Sequence, residues 1–229
     1  MATVAHMPRT SRAAVGGLVF HVLNRGNGRM KIFRKDGDYA AFVQLLIDAK
    51  KHADIEVFGF CVMGNHWHLV LRPRRDGDLA AFMSWLTNTH VKRYRAHYSR
   101  TSGHLYQGRY KSFPVEEDAY LVALLRYVEA NPRRAGIVRR AEKWVWSSAG
   151  CDERIAASLL DAWPIQRPSD WLRLINEPLP DSEDARIRCS LERGRPLGSE
   201  SWTSKIAAKL GLSNTINPRG RPKRKAERK

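Results

Sequence analysis

The chain has 229 residues, 43% of them hydrophobic, with 7 Trp, 7 Tyr and 7 Phe. That is enough apolar surface for a sizeable core, which excludes wholesale disorder. The 40 Lys and Arg outnumber the 23 Asp and Glu, leaving a net charge of +17. A surplus of that size points to a polyanionic partner, nucleic acid first and an anionic membrane surface second. No run of about 18 apolar residues exists, so no membrane-spanning helix is expected. The opening MATVAHMPRTSR lacks the apolar stretch of a secretory signal. Three widely spaced cysteines, Cys61, Cys151 and Cys189, fit a reducing cytoplasm better than a disulfide framework.

Residues 1–14 read as a loose basic arm. LVFHVLN (18–24) is β-branched and aromatic enough for a strand, and RGNGR (25–29) is a Gly-rich loop carrying Arg25 and Arg29. Asp36 then caps a helix whose Tyr39, Phe42, Val43, Leu46 and Ile47 recur at helical spacing. IEVFGFCVM (55–63), the turn pair Gly64-Asn65 and HWHLVLRP (66–73) form a hairpin. A second helix covers about 78–98, its apolar side made of Leu79, Phe82, Met83, Trp85 and Leu86. RYKSFPV (109–115) is a strand ended by Pro114. Glu116, Glu117 and Asp118 fall in the first turn of a third helix, which runs to about Ala130 and stops near Pro132.

The order β-α-β-β-α-β-α predicts an α+β fold: a ferredoxin-like (RRM-like) antiparallel sheet with helices packed on it. KWVWSSAG (143–150) is a compact aromatic piece that packs back on that core. Prolines at 164, 168, 178 and 180 predict a linker or irregular segment, and SESWTSKIAAKLGL (199–212) one short helix. The tail NPRGRPKRKAERK is strongly basic. The chain thus divides into a domain over 15–150, an irregular segment over 151–198, and a short helix with a basic tail over 199–229.

His66 and His68 stand two apart on a strand, so both imidazoles share one sheet face while Trp67 points to the other. Two such imidazoles make half of a divalent-metal site, although alone they are more often surface or core histidines. On the third helix, Leu121, Leu124, Leu125 and Val128 define the core face, and Tyr120, Tyr127 and Asn131 lie along its shoulder. Tyr127 and Asn131 are neighbours one turn apart. A phenol nucleophile beside an amide oxygen able to ligate a metal is chemically sensible there, as is a tyrosine next to a helix-terminal Asn with no function. Cys61 lies across the hairpin turn from the two histidines. No second Cys/His cluster is near, and structural zinc wants four protein ligands, so a zinc site is not expected.

Taken together, these motifs resemble a known family. VMGNHWHLVLRP looks like the H-hydrophobic-H (HUH) motif of single-tyrosine transposases, with Gly64 where proline is common. YQGRYKSFPVEEDAYLVALLRYVEANPRRAGIV looks like the segment carrying their catalytic tyrosine. Within it, Tyr127-x-x-x-Asn131-Pro132 matches the REP-associated tyrosine transposase branch, where the mobile insertion-sequence branch commonly has glutamine at the position of Asn131. HVLNRGNGRMKIF and WVWSS also fit, so the resemblance covers about residues 15–150. It implies Mg²⁺ or Mn²⁺ held by His66, His68 and Asn131, and Tyr127 as the nucleophile that forms a 5′-phosphotyrosine and frees a 3′-OH. It further implies single-stranded or hairpin DNA as substrate and a protein working as monomer or homodimer in the cytoplasm.

Basic residues placed to touch DNA are Arg25 and Arg29 in the Gly-rich loop, Arg109 and Lys111 at the fourth strand, and Arg133 and Arg134 after the catalytic helix. Arg221, in a Gly-Arg-Pro tripeptide of the tail, resembles a minor-groove hook. Any of these can equally be a solvated surface charge. Two functions remain open on residues alone: a strand-cleaving transposase, and a DNA-hairpin-binding regulator that has lost cleavage. A membrane-surface role lacks a basic amphipathic helix with a clear apolar face.

Overall fold

The computed structural model describes residues 15–99 and 103–217. The basic arm and the end of the tail, Arg221 included, lie outside the described residues. The main elements are β1 (Val19–Arg25), α1 (Asp36–Ala49), β2 (Ile55–Met63), β3 (His66–Pro73), α2 (Asp78–His97), β4 (Lys111–Val115), α3 (Ala119–Glu129) and α4 (Asn131–Arg134). The strands form one antiparallel sheet in the order β2-β3-β1-β4. This is the ferredoxin-like arrangement that the element order predicts, with two crossovers and a central hairpin.

Alternation along the strands divides the core in two. Phe20 and Val22 of β1, with Trp67, Leu69 and Leu71 of β3, face α1 and α2. The next residues in register, Val19 of β1 and Val70 of β3, face α3. Both clusters are closed to solvent, and each fully buried large side chain stabilises the fold by roughly 1.5–3 kcal/mol. Helix α1 begins at Asp36, the expected cap, and the capping residue is Lys35, one residue earlier; the Asp38 carboxylate reaches back to the Arg34 and Lys35 amides at 2.8 and 3.3 Å. Helix α3 sits close on β2 because Gly59 leaves room. A Cβ there would come within 2.6 Å of the Leu125 side chain.

Pro114 does not end β4. It pairs with Phe20 inside the strand, which is tolerated because β4 is an edge and its outer side needs no amide donor from proline. Instead the Pro114 carbonyl accepts from the Leu197 amide at 2.9 Å, so the chain near 197 covers that edge. The other edge, β2, is covered by the aromatic piece. Val62 donates to the Trp146 carbonyl, Ser148 donates to the Phe60 carbonyl, both at 2.9 Å, and the Trp144 indole reaches the Val62 carbonyl at 2.9 Å. Neither edge is left as a free template.

The stretch 151–198 is less irregular than its prolines suggest. It holds α5 (Glu153–Leu159), α6 (Trp171–Leu174) and α7 (Asp181–Arg193), and α8 (Glu200–Lys209) and α9 (Ser213–Ile216) follow. The proline-rich turns carry apolar anchors: Trp171, Ile175 and Ile187 are buried against the α3 side of the sheet. Helix α7 escapes a periodicity search because it buries only Ile187 and Ser190. Its signal is acidic, with Asp181, Glu183 and Asp184 in the first turn. Among the described residues, no helix is long and apolar enough to cross a membrane.

Candidate active site

The α3 face of the sheet carries the candidate site. In the β1–β3 ladder, His68 lies opposite Leu23 and His66 opposite Arg25. Strand alternation therefore lifts both imidazoles onto the face over which α3 packs, and sends Trp67 to the other side, where its indole donates to the Tyr106 hydroxyl at 3.1 Å. Helix α3 is capped by Asp118, whose carboxylate accepts from the Tyr120 amide at 2.8 Å. It buries Leu121, Leu124, Leu125 and Val128, which puts Tyr127 on the shoulder with 9% of its surface exposed. Ala130 keeps helical backbone angles and donates to the Arg126 carbonyl, so the path runs on into α4. Asn131 consequently stays one turn beyond Tyr127.

These four side chains line one cleft of about 590 Å³, together with Leu23, Asn24 and Arg25 from β1. The Tyr127 and His68 ring centroids are 6.2 Å apart, edge to face, and those of His66 and His68 are 5.0 Å apart. All of this happens within one chain. Tyr120, the other tyrosine on the stripe, is elsewhere: its hydroxyl accepts from Arg186 at 3.2 Å beside a separate cavity.

Hydrogen bonds fix the imidazoles from behind. His66 Nδ1 is 2.6 Å from the Asn65 side-chain oxygen, and the Asn65 amide nitrogen donates to the Arg29 carbonyl at 3.1 Å. The second bond orients the carboxamide, so its oxygen is the acceptor and His66 Nδ1 carries the hydrogen. The lone pair of His66 is then on Nε2. His68 Nδ1 lies 2.9 Å from Nε2 of His21, a wholly buried residue of β1. Burial, helped by the Arg25 charge, lowers the pKa of His66 to about 4. Burial first, then the neighbouring His66, His21, Arg25 and Arg134, holds His68 well below the ordinary histidine value. Neutral imidazoles are what a metal needs. Among the described residues no group of three or more His, Cys, Asp or Glu side chains is placed to hold an ion, and the cleft adds the side-chain amides of Asn24, Gln107 and Asn131 to the two imidazoles. Cys61 is buried, and that burial together with the Glu129 charge raises the pKa of its thiol.

The basic residues divide. Arg25, Arg109 and Lys111 line the cleft. Arg134 lies with its guanidinium 4.2 Å from the Tyr127 ring centroid and pairs with Asp184 of α7 at 3.1 Å. Arg29 is exposed outside the cleft lining and contributes its carbonyl to Asn65. Arg133, half buried on α4, is also absent from the lining. Arg221 is not among the described residues. Beyond Leu23, Asn24, Gln107 and Gly108 of the lining, four further contributors carry no clear mark in the sequence. His21 is one, legible only once the β1–β3 register is known. Asn65 is another, which the sequence shows as a turn residue. The other two are Leu191 and Glu192 of α7, which close one side of the cleft.

Comparison with known proteins bears on this arrangement. None of the curated proteins compared matches the chain. A solved structure of a REP-associated tyrosine transposase bound to a REP hairpin matches the fold with a TM-score of 0.50 at 18% identity, covering 76% of this chain and 100% of that one. The family model described as IS200-like transposase matches residues 14–131, which takes in both histidines, Tyr127 and Asn131. That match spans just over half of the sequence, and the chain belongs to the IS200-like transposase family.

Proposed function

We propose that the protein is a metal-dependent DNA strand transferase of the REP-associated tyrosine transposase kind, acting on single-stranded DNA next to a hairpin. The observation that carries this is the meeting of Tyr127, His66, His68 and Asn131 in a single cleft of a single chain. Three basic side chains at the same cleft, Arg25, Arg109 and Lys111, suit a phosphate backbone. The solved relative of like fold is held on a REP hairpin.

The donor set fits a divalent cation. Two imidazoles with Nδ1 already engaged turn Nε2 outward, and the Asn131 amide oxygen adds a hard donor of the sort Mg²⁺ and Mn²⁺ accept. A cation bound there offsets charge that develops on the scissile phosphate. The chain's own residues do the rest. Arg25, Arg109 and Lys111 grip flanking phosphates and set the strand in line. Arg134 and the α3 backbone hold the Tyr127 ring. The Tyr127 oxygen bonds to phosphorus as the phosphorus–O3′ bond breaks, so the strand leaves a 5′-phosphotyrosine and a free 3′-OH. The phenol loses its proton and the departing 3′-oxygen gains one. Because the phosphotyrosine is a phosphodiester like the one broken, a 3′-OH can reverse the step and rejoin strands without a nucleotide cofactor. With every group in one protomer, the reaction proceeds in cis.

The test is incubation of the protein with labelled single-stranded hairpin DNA and Mn²⁺, followed by denaturing electrophoresis. A covalent protein–DNA band is expected that disappears with EDTA and in Tyr127→Phe. No band with wild type, alongside hairpin binding indifferent to EDTA and to His66→Ala, would assign the protein as a non-cleaving hairpin binder instead.

A further inference from the structure

We propose that His21, which lies outside both motifs, is a positioning residue that sets which nitrogen of His68 faces the cleft. This rests on the reading of His66, His68 and Asn131 as a cation site. The His21 and His68 rings lie edge to edge in planes 19° apart, with centroids 5.1 Å apart, and Phe113 packs 4.9 Å away from the His21 ring. Their near nitrogens, His21 Nε2 and His68 Nδ1, are 2.9 Å apart and buried.

A hydrogen bond between two ring nitrogens holds one proton, so the pair has two arrangements. In the first, His68 Nδ1–H donates to His21 Nε2. His68 then offers a lone pair from Nε2, and His21 carries its hydrogen on Nδ1. In the second, His21 Nε2–H donates to His68 Nδ1. His68 Nε2 then carries a hydrogen and cannot ligate. A carbonyl or carboxylate, the usual partner of a ligating histidine, would allow the first alone. An imidazole allows both. The far atom does not break the tie, because His21 Nδ1 is buried with no hydrogen-bond partner among the described residues, in either arrangement. A cation at Nε2 selects the first. His66 differs: the Asn65 oxygen, itself fixed by the Arg29 carbonyl, keeps it in the ligating form at all times. The site therefore has one permanent imidazole ligand and one whose availability depends on His21.

Two measurements on the full chain test this. Long-range ¹H–¹⁵N spectra of wild type should show His68 nitrogens averaged between both forms without metal, and Nδ1 protonated at saturating Mg²⁺. A His68 tautomer unchanged by Mg²⁺, or one with Nε2 protonated in its presence, overturns the proposal whether or not any variant folds. Calorimetric binding of Mn²⁺, without DNA, should weaken 10–100-fold in His21→Phe. It should return to within about threefold of wild type in His21→Gln, whose amide oxygen accepts from His68 Nδ1. Folded His21→Phe protein that binds Mn²⁺ like wild type refutes the role of His21. His66→Ala separates the two levels. If His66→Ala loses Mn²⁺ while His21→Phe keeps it, only this inference falls. If His66→Ala also keeps it, the cation site itself is wrong.

Discussion

Glu129 sits two residues after Tyr127 and ties α3 to the rest of the molecule. It is 1% exposed. The Ser148 hydroxyl donates to one carboxylate oxygen at 2.6 Å, and the Trp171 indole donates to the other at 2.6 Å. Replacing Glu129 by alanine strands the indole N–H in the core, which costs about 1–3 kcal/mol. Ser148 loses less, because its hydroxyl also lies 3.3 Å from the Phe60 carbonyl. The void left by the missing side chain adds about another 1 kcal/mol. The expected loss for Glu129→Ala is roughly 2–4 kcal/mol. Glu129→Gln is much milder, at about 1 kcal/mol: its oxygen still accepts from Trp171, and the Ser148 hydroxyl turns to accept from the amide. Burial raises the carboxyl pKa, against the opposing hydrogen bonds from Ser148 and Trp171. Urea denaturation followed by circular dichroism measures both variants. An alanine variant within about 0.5 kcal/mol of wild type, or a glutamine variant as damaging as alanine, would refute this account of how α3 is held.

Tyr120→Phe should leave adduct formation intact where Tyr127→Phe abolishes it, because Tyr120 faces Arg186 and not the cleft; equal loss in both, read on denaturing gels, would contradict the assignment. Arg134→Ala frees the Tyr127 ring and should slow adduct formation about tenfold, the worth of one cation–π contact, while Mn²⁺ binding by calorimetry stays unchanged. Stability should fall as the solution is acidified from pH 7. Burial lowers the pKa of His21 to about 3 and of His90 to about 4, so the folded protein keeps both neutral while the unfolded chain takes up protons below the ordinary value of 6.5. Each such depressed histidine adds stability that is present above 6.5 and is lost progressively toward its folded value, about 2 kcal/mol by pH 5. Urea midpoints at pH 7 and pH 5 read this directly, and equal midpoints would speak against it.

The sheet and its order were legible because each strand alternates or is bounded by turn residues, and because α1 and α2 show clear helical spacing. The two histidines and Tyr127 were legible as motif residues, but their convergence depends on how α3 is laid over β3, which periodicity does not encode. Gly59 illustrates this. In the sequence it is a weak point in a strand, and in the fold it is the space that lets Leu125 and its helix approach. His21 was hidden for a related reason. It meets His68 diagonally across the ladder, and a single sequence does not reveal cross-strand register. Helix α8 falls inside the helix predicted over 199–212, whereas the helices of 151–198, α5 to α7, are hidden because prolines dominate the signal of that stretch. Their anchors, Trp171, Ile175 and Ile187, are isolated apolar residues whose partners lie on α3 and the sheet, far away in sequence.

The central claim is that the Tyr127 oxygen becomes bonded to DNA. The most direct measurement is mass spectrometry of the protease-digested adduct formed with hairpin DNA and Mn²⁺. The expected result is a nucleotide 5′-phosphate on the peptide carrying Tyr127. A modification mapped to any other residue, or an unmodified Tyr127 peptide from material that is demonstrably cross-linked, would contradict it.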